Sequence, residues 1–538
     1  MKKIILLTFL SIFNLSGLFC QYNFQQLIGG SDHERAQTIF STFDNCFIIN
    51  AATFSFGAGN VDAMLVKTDS TGQIIWSKTY GGVDYDNAEY AIQSFDHNIF
   101  CAGRSSASAG TPTSAILFKT DSAGNLNWTK SFGGTANDGF VHFVETVDHG
   151  FASVGYTNSV SSGLSDILFI RTDSAGDTLF TRSYGTAERE SGSGILQLPD
   201  SGFIITGRQT TTFGGSSVAD GLLIRTDANG DLLWSKLYGD SLFEELTSLK
   251  LLPDGGFIIC GSTATFGSGG FDILLMKTDS AGNPVWTKTF GGEKTDAAYD
   301  IHLNPDNSLV LSGYTESLGY GHSRVGDSTN VFLLKTDENG AFIWMEVYGD
   351  GLQDEAYRSN PAPDGGFVVS GFSSSYLLND STQILFIKTD SLGVSGCHEE
   401  SVIPTDSLIT MPFQSVILTQ LSGISLVSIA FNEQSANPSN NDACLFSNVS
   451  PPATLSSSIG VFPNPFSNSI RYQLSNKSEE GTLIISDALG RVLKKITINS
   501  SEGEIFLNEL ADGFYLLSFG NHMESFNLNS IKLIKSSN

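Results

Sequence analysis

The chain has 538 residues, enough for two to four domains of ordinary size. Its 56 acidic residues outnumber its 29 basic ones, and the formal net charge of −27 excludes a protein that binds a nucleic-acid backbone through a basic surface. Hydrophobic residues make up 40% of the chain, and 56 glycines stand against 14 prolines, which indicates a folded protein of short strands and tight turns.

The first 20 residues have the features of a secretory signal peptide. Two lysines precede a mostly apolar run, Ile4 to Phe13, that is too short to span a membrane. We expect cleavage after Cys20, with lipidation of Cys20 as the alternative, although Phe19 stands where a lipoprotein requires a small residue. No later stretch has 18 consecutive apolar residues, so the sequence predicts no transmembrane helix.

A tripeptide of a basic residue, threonine and aspartate recurs seven times between residues 67 and 390. Its aspartates are 52, 52, 54, 52, 58 and 53 residues apart, and a glycine stands three residues after each one. Seven residues after six of these aspartates there is a large aromatic residue, and this column contains all five tryptophans of the chain. A residue type confined to one position of every repeat is most simply a packing residue.

The unit from Gly239 to Gly292 shows the strand pattern most clearly. Turn sequences such as Pro253-Asp254-Gly255-Gly256 and Asp279-Ser280-Ala281-Gly282 separate four short segments, and continuous apolar runs such as Ile273-Leu274-Leu275-Met276 are typical of strands buried on both faces. Four antiparallel strands in each unit of 50-odd residues predict an all-β protein, a seven-bladed β-propeller over residues 21–397.

The two ends of the repeat region predict how the ring closes. Cys397 occupies the aromatic column of the last unit, so that unit lacks a fourth strand. The segment from Tyr22 to Gly30 resembles a fourth strand, with Phe24 in the aromatic column. We therefore expect residues 22–28 to pair antiparallel with the third strand of the last unit near Ile384–Lys388, which removes a free sheet edge.

Four motifs follow one another near the C-terminus. They contain Pro463, Asn464 and Pro465; Asp487, Gly490 and Arg491; Gly513 and Tyr515; and Lys532 and Lys535. Because these four motifs occur in this order, residues 455–538 resemble the type A C-terminal sorting domain of the type IX secretion system of Bacteroidota. The resemblance implies a small β-sandwich, the type IX machinery as a partner, and a secreted or cell-surface location. An ordinary adhesive sandwich is the alternative, and residues 398–454 are expected to be a non-repeating segment or linker.

The repeat also resembles enzyme families. Its Thr-Asp-x-x-Gly-x-x-x-Trp run is similar to the Asp-box of sialidase-type propellers, but the spacing differs and the blades show no matching arginine set. Quinone-dependent dehydrogenases also have tryptophan-bearing blades. The leading hypothesis is nevertheless a non-enzymatic binding module for an extracellular glycan, peptide or matrix ligand. The alternative is a glycan hydrolase, a lyase or a dehydrogenase with its site on the loop face.

One acidic column is a candidate binding site, because every unit has a carboxylate where its first strand begins. These residues are Glu34, Asp86, Asp138, Glu190, Glu244, Asp296 and Asp354. As a ring around the channel mouth they would bind a cation or an amine. Alternatively, each carboxylate accepts backbone hydrogen bonds in the loop between blades. No cofactor is predicted and no metal site is assigned, but calcium at these carboxylates or at the Asp-x-x-Gly turns stays open.

Loop length and cysteine position indicate two further features. The loop after strand two is longest in unit six, where Tyr320, His322 and Arg324 are candidate ligand contacts. Cys397 and Cys444 are the mature-chain cysteines outside the strand-two positions, and we expect a disulfide between them because export permits oxidation.

Overall fold

The computed structural model describes residues 23–213, 216–319, 328–375 and 381–446, and then 459–462, 468–474, 481–487, 492–498, 500, 502–508, 510, 513–521 and 530–535. The chain forms two compact units, Met1–Ser447 and Asn448–Asn538.

The first unit contains seven antiparallel sheets in a ring, one for each sequence repeat. The N-terminal strand β1 is Phe24–Gly29. Blade one has β2 (Glu34–Ser41), β3 (Phe47–Thr53), β4 (Asp62–Thr68) and β5 (Ile74–Gly81). Blade two has β6 (Asp86–Gln93), β7 (Ile99–Ser106), β8 (Thr113–Thr120) and β9 (Leu126–Gly133). Blade three has β10 (Asp138–Glu145), β11 (Phe151–Thr157), β12 (Asp166–Thr172) and β13 (Thr178–Gly185). Blade four has β14 (Arg189–Gln197), β15 (Phe203–Phe213), β16 (Ser216–Thr226) and β17 (Leu232–Tyr238).

The remaining blades follow the same order. Blade five has β18 (Glu244–Leu251), β19 (Phe257–Thr263), β20 (Asp272–Thr278) and β21 (Pro284–Gly291). Blade six has β22 (Asp296–Leu303), β23 (Leu309–Thr315), β24 (Asn330–Thr336) and β25 (Phe342–Tyr348). Blade seven has β26 (Asp354–Pro361), β27 (Phe367–Ser373) and β28 (Gln383–Lys388), and β1 is its fourth strand.

The predicted closure by the N-terminal strand is confirmed. Strand β1 pairs antiparallel with β28, with Phe24 opposite Lys388 and Ile28 opposite Ile384. The ring therefore closes through backbone hydrogen bonds between the first and the last strand of the repeat region.

A fifth strand on every blade is the main difference from the four-strand expectation. We call residues 397–444 the belt, because this segment supplies all seven of these outer strands. They are β29 (Glu399–Val402), β30 (Thr405–Ile409), β31 (Phe413–Ser415), β32 (Thr419–Leu421), β33 (Ser425–Val427), β34 (Asn432–Ser435) and β35 (Ser439–Asp442), and a 3₁₀ helix, Ala443–Phe446, follows. They pair in turn with blades six, five, four, three, two, one and seven.

The repeated tryptophan and glycine columns form one contact between neighbouring blades. Gly282 has a φ of 77°, a conformation that favours glycine. A Cβ atom at Gly282 would lie 2.8 Å from the ring of Trp234 in the preceding blade, and Tyr238 donates a 2.6 Å hydrogen bond to the Gly282 carbonyl oxygen. Glycine is therefore required both by backbone conformation and by the aromatic ring that covers it.

The basic residue of each tripeptide pairs with the aspartate of the turn between the first two strands of its own blade. Lys119 Nζ lies 2.6 Å from Asp96 Oδ2, and Lys67 lies at the same distance from Asp44. Equivalent pairs occur in the other five blades. Two columns that look independent in the sequence are thus one ion pair per blade.

The second unit contains two sheets around one apolar cluster. The first sheet has β36 (Ile459–Phe462), β37 (Ser469–Leu474) and β40 (Glu502–Phe506). The second has β38 (Gly481–Asp487), β39 (Val492–Ile498), β41 (Gly513–Asn521) and β42 (Ser530–Lys535).

Candidate functional site: the central channel

The seven predicted carboxylates do not project into the channel. All seven are fully buried. Each accepts a hydrogen bond of 2.7 to 3.3 Å from the backbone amide four residues earlier. Each also accepts one from a side chain 19 residues later, at the end of strand two, such as Thr53 for Glu34 and Thr263 for Glu244. These are the contacts of the structural alternative, in which the carboxylate closes the loop between blades.

Burial raises the pKa of most of these carboxyl groups. It raises the pKa of Asp86 and of Asp354 to about 6, against the hydrogen bonds that favour the charged form. The charge of a second carboxylate raises the pKa further in some blades, as Asp62 does for Asp86 and Asp166 does for Glu190. Burial and the charge of Asp296 raise the pKa of Asp272 to about 6.

The residues that line the channel are at a different position of the same strands. Every innermost strand contains a β-bulge three residues after the carboxylate, so that one residue has no partner across the ladder. A bulge redirects the extra side chain. All seven bulge residues line one cavity of about 190 Å³, together with Glu245 and Arg358. They are Gln37, Glu89, Val141, Ser193, Thr247, Tyr299 and Tyr357.

Acidic and basic side chains are paired around this cavity. Glu89 accepts a 2.9 Å hydrogen bond from Asn87 and lies 3.3 Å from Arg104. Burial raises the pKa of Glu89, although Arg104 opposes the shift. Glu245 accepts a 2.8 Å hydrogen bond from Arg208. The cavity therefore has two carboxylates, each held by an arginine.

Aromatic rings form one side of the cavity. The rings of Tyr299 and Tyr357 are 5.3 Å apart, and Tyr314 is 5.9 Å from Tyr299. The guanidinium of Arg358 lies 5.5 Å from the centre of the Tyr90 ring. Tyr299 and Tyr357 thus place aromatic side chains beside the polar groups of the lining, a combination typical of ligand pockets.

A buried polar network holds Arg358. Asp300 Oδ1 lies 3.9 Å from Arg358, and Asp300 Oδ2 lies 3.1 Å from His302 Nε2. Burial raises the pKa of Asp300, but His302, Arg358 and Lys250 outweigh it and hold that pKa well below its usual value. The charged form of Asp300 is therefore favoured beside the arginine.

The bulge residues are not among the site residues predicted from the sequence, which named the acidic column instead. The bulge column has no distinct signal in the sequence, because its seven residues are of six types and the residues that directly follow them vary as well. Tyr320, His322 and Arg324, the predicted loop contacts, lie outside the described residues.

Cys397 and Cys444 form a disulfide bond, with their Cα atoms 5.8 Å apart. In the part of the chain that the structure describes, no group of three or more His, Cys, Asp or Glu residues is arranged to hold a metal ion. No helix within those same residues is long and apolar enough to cross a membrane.

The sorting motifs fall partly within the described residues. Tyr515 is buried in the core of the second unit, and Asp487 lies opposite it at the end of β38. Gly513 pairs with Lys535, and Leu516 pairs with Lys532. Pro463, Asn464, Pro465, Gly490 and Arg491 lie outside the described residues.

The fold defines a seven-bladed β-propeller followed by a small two-sheet unit. Residues 460–534 match the family described as secretion system C-terminal sorting domain. The chain is therefore a β-propeller with a type IX secretion system sorting domain, and it is secreted or displayed at the cell surface.

Other similarities are more distant. Regulatory protein FlaEY of Caulobacter vibrioides is 27% identical over 228 residues, which cover 38% of this chain and only about a quarter (24%) of that protein. PorZ, a surface component of the type IX secretion system of Porphyromonas gingivalis, has 11% identity and a TM-score of 0.36 over 91% of this chain and 58% of that one. A fungal AA5-family alcohol oxidase in complex with copper has 9% identity and a TM-score of 0.37, over 95% and 98%. With TM-scores below 0.5, neither structure carries an argument about function.

Proposed function

We propose that the protein is a non-enzymatic extracellular binding module whose ligand enters the central channel. One observation supports this proposal above the others. The bulge column brings one side chain from each of the seven repeated blades to a single cavity, and these side chains are of six types. A repeat that keeps its packing residues but varies one inward position has the form of a binding site built on a scaffold.

The chemistry of the cavity favours the end of a glycan over a peptide or another matrix ligand. The faces of Tyr299 and Tyr357 offer apolar surface to the C–H face of a sugar ring. Glu89 and Glu245 accept hydrogen bonds from hydroxyl groups, and Arg358 donates them. A volume of about 190 Å³ is below the range of drug-sized pockets, so it suits one ring rather than several.

A glycan array tests this proposal with the mature propeller, residues 21–446, with and without calcium. We expect specific binding that Tyr299→Ala weakens about fivefold to tenfold, since stacked rings contribute about 1–1.5 kcal/mol. Leu233→Ala is the matched control, because Leu233 is 58% exposed on β17, the fourth strand of blade four, and does not line the cavity. Binding that both variants retain equally would place the ligand outside the channel.

An enzyme is the second candidate, and Glu89 is the observation that favours it. A carboxyl group with a raised pKa in a cavity that also contains an arginine is suited to proton transfer. Turnover of a bound glycan by the wild type, with its loss in Glu89→Gln at unchanged affinity, would support a hydrolase or lyase. Binding without turnover supports the binding module.

A further inference from the structure

The belt makes one complete circuit of the propeller. Its first strand pairs with blade six and its last with blade seven, and between them it visits every other blade in order. Blades six and seven are neighbours, so the belt ends beside the point where it began. Cys397 precedes the first belt strand, Cys444 follows the last, and a disulfide joins them across 47 residues. The closed covalent loop therefore encircles the seven blades.

Strand twist explains why a fifth strand follows the rim. Neighbouring strands in a sheet are rotated by about 20–25°, so the fifth strand is turned by roughly 80–100° from the first. The first strand of a blade runs along the channel. The fifth strand, which is four positions further out, therefore runs around the perimeter of the propeller. The belt is long enough to form a wide ring, because a separation of 47 residues at about 3.3 Å each gives a circle about 50 Å across.

The belt is also fixed to the blades by apolar side chains. Each of the seven apolar clusters of the propeller contains a belt residue, either buried in the cluster or packed against it. They are Val402, Met411, Leu418, Ile424, Phe431, Ala436 and Ala443. Connections of two to four residues join the belt strands, so the loop has little slack.

The belt covers the point where the ring is closed without a covalent bond. Strand β1 has six residues and lies between β28 and β35. Gln26 pairs with Phe386 on one side and with Asp442 on the other. Cys444 follows β35 by two residues. Peeling β1 away would therefore displace a belt strand that is held by the disulfide.

We propose that the belt and its disulfide form a closed covalent ring that keeps the propeller from opening. Opening requires the blades to move apart, and a closed loop of fixed contour length opposes that movement. The same disulfide transfers tension from the C-terminal side of Cys444 directly to Cys397, so that the belt strands are not peeled off one after another.

A cut belt tests this proposal with the disulfide intact. A sequence-specific protease site is inserted at Gly423, an exposed glycine between β32 and β33 that has open space around its Cβ position. The folded protein is then cut. The product should run as one band on a non-reducing denaturing gel and as two bands after reduction, which verifies that the disulfide remains.

The test compares the unfolding rates of these proteins in guanidinium chloride. We expect the cut protein and the double variant Cys397→Ser/Cys444→Ser each to unfold about tenfold or more faster than the uncut insertion protein, which should match wild type. If cutting leaves the unfolding rate unchanged while the double variant unfolds faster, the disulfide stabilises the protein only locally. The proposal that the closed ring keeps the propeller from opening is then wrong. Equal rates for all proteins also refute it. The cut protein keeps the test valid if the double variant does not fold, because it is cut after folding.

Discussion

Replacing Asp272 by asparagine should stabilise the propeller at neutral pH. Asp272 is 2% exposed and lies beside Asp296. A Cβ atom at Gly291 would overlap Asp272 Oδ1 and lie 2.8 Å from Asp296 Oδ2, so the two carboxylates converge over this glycine. Two buried like charges at one place oppose folding when both are ionised.

The pKa of Asp272 determines how large the gain in stability should be. Burial, followed by the charge of Asp296, raises it from 3.8 to about 6. This difference corresponds to about 3 kcal/mol at neutral pH. Because the folded-state pKa is the higher one, this contribution to stability is present below pH 3.8 and is lost as the pH rises through about 6. Asparagine keeps an oxygen that can accept the 2.9 Å hydrogen bond from the Ser268 amide, so we expect a gain of about 1–2 kcal/mol at pH 7.5 and almost none at pH 4.5.

Blade six provides the matched control, since it has Asn330 at this position beside Asp354. The reverse change, Asn330→Asp, should lower the free energy of unfolding at pH 7.5 and have a smaller effect at pH 4.5. Urea unfolding of both variants at the two pH values measures this. An effect of Asp272→Asn that is the same at both pH values, or a loss of stability at pH 7.5, would refute the electrostatic explanation.

Three further predictions concern the repeated columns. Trp234→Ala should lower the free energy of unfolding by about 3 kcal/mol in a chemical denaturation curve, because the ring loses its contacts with the next blade; a loss below about 1 kcal/mol would argue against a packing role. A double-mutant cycle of Lys119→Met and Asp96→Asn should give a coupling energy of about 1 kcal/mol, since the lysine is buried but the aspartate is half exposed; additive losses would mean that the ion pair adds nothing. Calorimetric titration with calcium should give no heat, because the seven loop carboxylates already accept protein hydrogen bonds. Saturable heat that Asp138→Asn abolishes would instead support a cation site at these carboxylates.

The blades could be predicted because each repeated residue makes the same contact in six or all seven blades. The basic-Thr-Asp-x-x-Gly run marks a turn, and the aromatic column marks the contact between blades. Even the closing strand was predictable, because Phe24 and Gly29-Gly30 match the fourth-strand pattern. Periodicity carries the information in all of these cases.

The belt was not predictable by the same reasoning, because its strands have three to five residues and lack the blade period. Its own signal is short and weak. Met411, Leu418, Ile424 and Phe431 are six or seven residues apart, which is one apolar contact per blade. A spacing of this kind has meaning only once the outer edge of the blades is known.

The channel residues could not be predicted from the sequence for a different reason. A bulge shifts the register of a strand by one residue, so the inward position cannot be derived by simple alternation from the buried acid before it. In each blade the acid maintains the loop to the neighbouring blade, whereas the bulge residue has no partner across the ladder. An acid accordingly stands in all seven units, whereas the bulge position has six residue types.

The channel site and the belt depend on the same property of the ring. Each blade contributes one bulge residue to the cavity, so the distances between opposite side chains are set by the spacing of all seven blades. Strand β1 closes that ring through backbone hydrogen bonds, and the belt covers its outer edge. A ligand that contacts several blades at once requires those distances to be constant, because a displacement of about 1 Å is enough to break a hydrogen bond. A covalent loop around the perimeter therefore supports recognition at the centre, although no belt residue lines the cavity.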